Sequence, residues 1–330
     1  MIAQIDGRRE TASYTVESPV LSDASMPTVS IIMNVRNGAA TLREAVESAF
    51  NQTYRDWELI VWDDCSTDDS AKMVAEFDDP RLRYFLAPHD TALGQARELA
   101  MRQARGEWLA FLDQDDIWLP RKLELQMALT DSGQVGLVYG RTVCFYPGGR
   151  QRDYDQFHEF TELPEGDIFA ELLGRGCFIA MSSSLLRRPI VGETGGIPAH
   201  IHVAPDYFLY LAVCHRHSAR AVQQVVCRYR VHPGNMTSLY RRESLGESLA
   251  LVEERARQIP RDAFARRHAG ISTALALEEM RHWKTTAQGM HRLMRTGSLG
   301  WAIRAPLVHC WRIAGRRLRQ PRWQKDGSAL

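Results

Sequence analysis

Two runs of carboxylates stand out as residues able to do chemistry. Asp113, Asp115 and Asp116 lie within one turn of chain. Carboxylates that close repel one another unless a proton or a cation neutralises them. A hard divalent ion suits oxygen ligands, and Mg²⁺ typically takes one or two carboxylates together with substrate phosphates. The competing reading is a solvated acidic turn that caps a helix starting near Pro120. The second run is Asp63-Asp64-Cys65-Ser66-Thr67-Asp68. There Asp64 can accept a hydrogen bond from a nucleobase imide or a ribose hydroxyl while Ser66 or Thr67 caps the next helix. The plainer alternative makes all of these residues caps.

The flanking patterns say what would hold these runs. Val29-Ser30-Ile31-Ile32-Met33 is a short apolar run with β-branched residues, which predicts a buried strand. Thr41-Leu42-Arg43-Glu44 has capping-box spacing, and Leu42, Ala45, Val46, Ala49 and Phe50 follow at helical spacing. Residues 59–62 predict a second strand that runs into Asp63-Asp64. Ser66 to Asp69 opens a second helix expected to reach Phe77, and residues 81–86 a third strand. A helix is predicted over 91–105 with Gly106 as its stop. Residues 108–112 form a fourth strand, followed at once by Asp113.

Strands alternating with helices imply a parallel, doubly wound sheet. In such sheets ligands bind beyond the carboxyl ends of the strands. Both acidic runs fall at such ends. Later, residues 137–145 predict a strand, 167–173 and 206–214 helices, 221–230 an extended segment, and helical patterns dominate from Glu243 onward.

Four ordered blocks across the first 120 residues carry a family resemblance. They are Pro27-Thr28-Val29-Ser30-Ile31-Ile32-Met33-Asn34-Val35-Arg36-Asn37, the helix through Asn51-Gln52-Thr53-Tyr54, Trp57-Glu58-Leu59-Ile60-Val61-Trp62-Asp63-Asp64, and Gly106-Glu107-Trp108-Leu109-Ala110-Phe111-Leu112-Asp113-Gln114-Asp115-Asp116. Together they resemble the inverting glycosyltransferase family 2. That resemblance implies an α/β chain with the GT-A (nucleotide-diphospho-sugar transferase) fold, a doubly wound and mostly parallel sheet with a helical C-terminal extension. The expected division is a flexible leader over 1–26, a GT-A catalytic domain over 27–240, and a helical, basic extension over 241–330.

The resemblance also implies roles. Asn34 and Arg36 match the segment that lines the nucleoside pocket, and Asp64 the residue that binds the base. Asp113-Gln114-Asp115 falls on the D-x-D motif; Asp113 and Gln114 stand with the donor-binding residues. Asp115 is the expected ligand of Mg²⁺ or Mn²⁺ bridging the donor diphosphate. Asp206, in Ala204-Pro205-Asp206-Tyr207-Phe208, occupies the place of the catalytic base, with Pro205 where the family commonly has Glu. A plain N-cap is the alternative, and Glu193, His200 and His202 are rivals for the base. Arg228-Tyr229-Arg230-Val231-His232-Pro233-Gly234-Asn235-Met236-Thr237-Ser238 resembles a loop that closes over the donor. Its arginines offer a rigid fork for phosphate oxygens, and His232 is either a neutral metal ligand or a turn residue. Two departures stand out: Asn34-Val35-Arg36-Asn37 replaces the usual Pro-x-Tyr-Asn, and Cys65 replaces a Gly, a small change in a turn.

The bulk properties agree with an enzyme of this kind. The chain has 330 residues, enough for a large core, and its 45% apolar and 25% charged content excludes wholesale disorder. Six scattered cysteines without a C-x-x-C pair argue against a zinc site or a disulfide framework and fit a reducing cytosol. The first residues lack the apolar run of a signal peptide, and no uninterrupted apolar stretch reaches the roughly 18 residues of a spanning helix.

The formal net charge of +1 hides a basic tail, because residues 281–325 contain no Asp or Glu. Within it Ile303, Leu307, Trp311, Ala314 and Leu318 share one helical stripe, and Arg304, Arg312, Arg316 and Arg319 another. This fits either a helix lying on an anionic membrane surface or an accessory helix with a solvated basic face. No motif accompanies the charge that would indicate nucleic-acid binding.

The expected reaction is an in-line displacement with inversion, moving a sugar from a nucleotide-diphosphate donor, UDP-linked by family preference, to the hydroxyl of a glycan or lipid-linked acceptor. The expected place is the cytoplasm, peripheral at the inner face of the membrane if the tail binds lipid. A Rossmann dehydrogenase lacks support because no G-x-G-x-x-G follows the first strand. A sugar nucleotidyltransferase would carry a Gly-rich, Lys-bearing N-terminal loop that is missing. A non-catalytic nucleotide-sugar-binding module on the same fold is the remaining competitor.

Overall fold

The computed structural model describes residues 26–131, 133–146, 151–154, 160–258 and 261–281. The expected leader (apart from Met26) and the basic stripe between Ser298 and Arg319 lie outside the described residues. The elements are β1 (Val29–Val35), α1 (Leu42–Phe50), β2 (Trp57–Asp63), α2 (Ser70–Val74), β3 (Leu82–Leu86), α3 (Leu93–Arg102), β4 (Trp108–Phe111), β5 (Ile117–Trp118) and α4 (Lys122–Met127). There follow β6 (Val135–Phe145), β7 (Gln151–Tyr154), α5 (Phe169–Arg175), a 3-10 turn (Met181–Ser183), β8 (Leu185–Arg187), α6 (Arg188–Glu193) and α7 (Pro205–Cys214). The last are β9 (Ser218–Arg230), α8 (Met236–Leu239), α9 (Arg241–Glu254), the 3-10 turn Ala256–Gln258 and α10 (Arg261–Arg281).

One sheet of nine strands organises the described chain, in the order β3-β2-β1-β4-β8-β6-β9-β5 with β7 beside β6. The first four strands pair in parallel, Val29 opposite Trp57 and Trp108, Leu59 opposite Leu82. Their continuous apolar runs are buried on both faces in β1, β2 and β4, as central parallel strands require. The second half is mixed: β8 is antiparallel to β4 and β6, while β6 and β9 run parallel. The far end of β9 turns back to pair with the short β5 just after the acidic turn, Arg228 opposite Ile117. That return delivers the 230–235 loop to the tip of β4.

Helices cover both faces of the sheet. Leu42, Ala45, Val46 and Ala49 of α1 and Leu123 of α4 pack on Ile31, Met33, Leu59 and Val61. On the opposite face Ala96 and Ala100 of α3, Leu172 of α5, and Leu209 and Leu211 of α7 pack on Ile32, Ile60 and Phe111. Leu249 and Val252 of α9 and Ile271 and Leu275 of α10 belong to this same buried cluster. Among the described residues no helix is long and apolar enough to cross a membrane. All five cysteines among them are free thiols.

Three local expectations are corrected. The capping box at Thr41 does not form: Gly38 O already accepts from Thr41 N and Leu42 N at 2.9 Å each, and Glu44 turns to Arg230 instead. The second helix is one short turn from Ser70, because Ser66 and Thr67 bond back to Asn37 and leave Asp68 to accept from Ser70 N at 3.0 Å. Helix α3 stops at Arg102, short of Gly106. Gly106 answers to a different demand, since a Cβ there would lie 2.6 Å from Ser30 N and 2.8 Å from Val29 C.

Candidate active site

Three parallel strands, β2, β1 and β4, deliver their carboxyl ends to one edge of the sheet. Asp64, just past β2, is buried and does not cap the next helix. Its carboxylate accepts from Thr91 N at 3.1 Å, from Thr91 Oγ1 at 3.1 Å and from Arg36 Nη1 at 3.3 Å. Asp63 closes the turn that follows: its Oδ1 accepts from Ser66 N at 2.7 Å, and its other oxygen from Tyr84 OH at 2.7 Å. Burial and the Asp63 charge push the Tyr84 hydroxyl well above its ordinary range.

The turn into this segment is strained. Cys65 sits at φ 61°, a left-handed conformation that costs an L-residue roughly 1–2 kcal/mol relative to the right-handed region. The replacement of Gly by Cys is therefore more than the small change expected.

Gln114 ties the β4 tip to the loop after β1. Its Oε1 accepts from Arg36 N at 2.9 Å and its Nε2 donates to Arg36 O at 3.2 Å. Arg36 thereby touches both acidic runs, and its guanidinium remains half exposed between Asp64 and Asp90. Asn34, at the end of β1, has its Nδ2 buried without a hydrogen-bond partner, and so has the indole nitrogen of Trp62. The two residues are register partners on adjacent strands, so their side chains leave the same face of the sheet.

The three carboxylates of the turn differ sharply in what they touch. Asp116 is buried and structural: Ser182 Oγ donates to it at 2.6 Å and Arg230 N at 2.9 Å. Burial, then the charges of Asp115 and Asp113, hold its carboxyl well above the usual range. Asp115 meets His232 Nε2 at 2.8 Å and Asn235 Nδ2 at 3.3 Å through one oxygen. His232 Nδ1 accepts from Gly234 N at 3.2 Å, which leaves the proton on Nε2 and makes the ring a donor to Asp115. Burial, with Asp113 second, raises the Asp115 carboxyl as well. Asp115 and Asp116, each raised in part by the carboxylates beside it, meet the electrostatic condition under which a cation is welcome.

Asp113 points the other way. Arg97 Nη2, from the buried face of α3, donates to Asp113 Oδ1 at 2.5 Å. The Arg97 charge also acts on Asp206, the second residue of α7. Asp206 Oδ1 accepts from Tyr207 N at 2.8 Å, and its Oδ2 lies 3.8 Å from the Cys177 thiol. Burial lifts the Asp206 carboxyl above its ordinary value, and Arg97 pulls it part of the way back. Pro205 fits the first turn of α7, where its missing N–H costs nothing. Of the rivals, Glu193, His200 and His202 are exposed, and the His202 backbone is held by Glu247 at 2.8 Å.

Four contributors escaped sequence reasoning. Arg97 carried one signal, a charge at helical spacing on the buried stripe with Gly94, Ala96, Ala100 and Met101. Ser182 and Trp62 carried none, and Asn235 only its place in the loop resembling the one that closes over the donor. Arg230, expected at the phosphates, is committed instead: its Nε donates to Asp115 O at 2.7 Å and its Nη2 to Glu44 at 2.6 Å. It positions the acidic turn. Arg228 lies over the Phe145 ring, 4.5 Å from its centroid.

The sequence model described as Glycosyl transferase family 2 matches residues 30–195. A UDP-Glc:α-D-GlcNAc-diphosphoundecaprenol β-1,3-glucosyltransferase of Escherichia coli, WfaP, is 31% identical over 227 residues, 68% of this chain and 86% of its own length. A second E. coli enzyme of the same description, WfgD, is 29% identical over 64% of this chain and 79% of its own. Among solved structures, the mannosyltransferase PcManGT of Pyrobaculum calidifontis with GDP-Man and Mn²⁺ superposes with a TM-score of 0.59 at 19% identity, covering 90% of this chain and 82% of its own. S. aureus TarS 1–349 with UDP-GlcNAc gives 0.57 at 18% identity, covering 78% and 73%. These two likenesses establish the shared GT-A fold.

Proposed function

Because the chain belongs to glycosyltransferase family 2, we propose that it transfers a hexose from a UDP-sugar, with inversion and with the help of Mg²⁺ or Mn²⁺, to a hydroxyl of a lipid-linked saccharide. The observation that carries this reading is the junction at Gln114 and Arg36, which puts Asp64 and the Asp115–His232 pair on one sheet edge.

Each part of the donor meets suitable chemistry along that edge. The buried donors of Asn34 and Trp62 and the Asp64 carboxylate are what a uracil, with its carbonyls and imide N–H, would satisfy. The half-exposed Arg36 guanidinium is free to exchange its solvent-screened partner Asp90 for a phosphate. UDP as the nucleotide also follows the E. coli relatives, whose names specify UDP-glucose and a diphosphoundecaprenol-linked acceptor.

The residues present fit a divalent cation. Among the described residues no group of three or more His, Cys, Asp or Glu is arranged to hold a metal. Asp115 offers one carboxylate ligand, and His232 Nε2, 2.8 Å away, would join it only once its proton had moved to Nδ1 and the Gly234 N–H had turned aside; Mg²⁺ commonly leaves its other positions to diphosphate and water. Bound there, such an ion supplies Lewis-acid stabilisation of charge developing on the leaving diphosphate. Arg230 and Ser182 keep the turn in place through Asp115 O and Asp116.

Asp206 takes the acceptor proton. It lies at the start of α7, close enough to Arg97 and Asp113 for both charges to act on its carboxyl, which supports this reading. Burial gives it a carboxyl more basic than an exposed Asp, and the Arg97 charge opposes that rise. The test pairs two variants, read by thermal shift with UDP and Mn²⁺ and by transfer from UDP-glucose to the GlcNAc-diphospholipid named for the relatives. Asp206→Asn is expected to keep the UDP shift and lose about 10²–10⁴-fold in transfer. Asp115→Ala is expected to lose the Mn²⁺-dependent part of the shift. Wild-type transfer by Asp206→Asn would remove the base assignment.

A further inference from the structure

The chain leaves the site through a surface of unusual composition. Asn235, which reaches Asp115, is the residue immediately before α8, and α8 carries Met236 and Leu239 with Tyr240 directly after it. These three are 39%, 60% and 44% exposed. Residues at i, i+3 and i+4 lie on one side of a helical turn, so they form a single apolar face. Isolated exposed apolar residues are ordinary; three within five positions beside a binding cleft are a patch. Arg241 and Arg242 follow at once and are exposed. Arg241 Nε lies 3.5 Å from Glu278, which brings the exposed Leu277 and the end of α10 to the same neighbourhood.

We propose that the Met236–Leu239–Tyr240 face with its arginine flank docks on an anionic lipid bilayer. Apolar side chains at the acyl boundary and cations at the headgroups are the chemistry of interfacial attachment. Charge decides between occupants. The 282–325 segment that starts where α10 ends has ten Lys or Arg and no acid, so folding it over this face would set cations against Arg241 and Arg242. A second copy paired through the same patch would bring two arginine pairs together, because a two-fold contact sets like surfaces face to face. An anionic bilayer attracts the patch and the tail alike.

The turn is a firm base for such contact. His232 N donates to Asn235 Oδ1 at 2.6 Å and Asn235 Nδ2 to Arg230 O at 3.1 Å, so the loop between the site and the patch is braced. A bilayer held at Leu239 lies only a few residues of chain from Asn235, which meets Asp115 at 3.3 Å. An acceptor anchored in that bilayer would reach the cleft from its rim.

The test uses the full chain with its tail intact, floated with vesicles of phosphatidylethanolamine and phosphatidylglycerol (7:3, a composition of about that ratio being enough for the surface potential) against pure phosphatidylcholine. The double variant Met236→Glu/Leu239→Glu is expected to lose at least about tenfold in partitioning to the anionic vesicles, the scale expected for removing two apolar contacts. Leu239→Ser, at the most exposed of the three positions, is expected to lose about threefold and guards against misfolding of the double variant. Unchanged partitioning of both variants would overturn the proposal, as would a wild-type chain that ignores anionic vesicles. So would a wild-type dimer in solution that the double variant dissociates, since that assigns the face to a second copy.

Discussion

Lys122 offers the sharpest test of the buried electrostatics behind the site. It is 0% exposed, with Nζ 2.6 Å from Gln126 Oε1, 3.4 Å from Ser184 O, and 4.0 Å from the Trp118 ring centroid. Burial pulls its ammonium from 10.5 down to about 7, with the neighbouring Cys227 opposing the fall. A lowering from 10.5 to about 7 corresponds to roughly 5 kcal/mol of penalty on the charged form at about 1.4 kcal/mol per pH unit. The Trp118 face returns about 1–2 kcal/mol of this as a cation–π contact.

Lys122→Met keeps the volume and removes the charge, at about 1 kcal/mol for the unpaired Gln126 oxygen. The net expectation at pH 6 is a variant about 2–3 kcal/mol more stable than the wild type. Between pH 7 and 10.5 the unfolded chain holds a proton on Lys122 that the folded chain has released, so wild-type stability rises with pH by about 1.4 kcal/mol per unit. Below pH 7 both states are charged and the burial cost is present in full. The variant's advantage should accordingly be largest at pH 6 and nearly gone by pH 9. Urea midpoints of both proteins at the two pH values measure this. An equal gap at both, or a variant weaker at both, refutes the reasoning.

Three further outcomes follow from the same kind of argument. Arg97→Met removes the charge that draws the Asp206 carboxyl down, so the acid limb of transfer should move to higher pH, and stability should fall by about 2–3 kcal/mol because Asp113 is left partly buried and unpaired. The pH–rate profile separates the two effects; an unmoved limb would detach Arg97 from Asp206. Cys65→Gly relieves the left-handed backbone at φ 61° but frees the unfolded chain, for a net gain of roughly 0.5–1 kcal/mol, seen as a rise in Tm of about 1–3 °C. Gly106→Ala drives a methyl against the backbone of Val29 and Ser30 and should cost about 1–3 kcal/mol in urea unfolding, with UDP binding retained in the folded fraction.

Much of the site's frame was legible in residue order. The strands Val29–Val35 and Trp57–Asp63 each hold an unbroken apolar run, residues 31–33 and 59–62, and are buried on both faces, and a parallel sheet necessarily gathers its carboxyl ends at one edge. That alone placed Asp64 and Asp115 together. Sequence reasoning erred where a local rule competed with a distant partner. Glu44 has the spacing of a capping box and spends its charge on Arg230, 186 positions away. Gly106 has the look of a helix stop and answers to Ser30. The mixed half of the sheet was also hidden, because β8 and β5 are only three and two residues long and carry too little periodicity to declare a direction.

The division between sequence and tertiary structure runs through the acidic turn itself. Composition and spacing alone determined that three carboxylates would crowd the end of a strand, since that depends only on neighbours along the chain. Which of them faces the cleft was decided by residues 66 to 120 positions away: Ser182 takes Asp116 inward, while His232 and Asn235 meet Asp115. Arg97 claims Asp113 across the helix–sheet interface. Such pairings depend on how separate elements pack and on the return of β9 to β5, and hydrophobic periodicity carries no record of either.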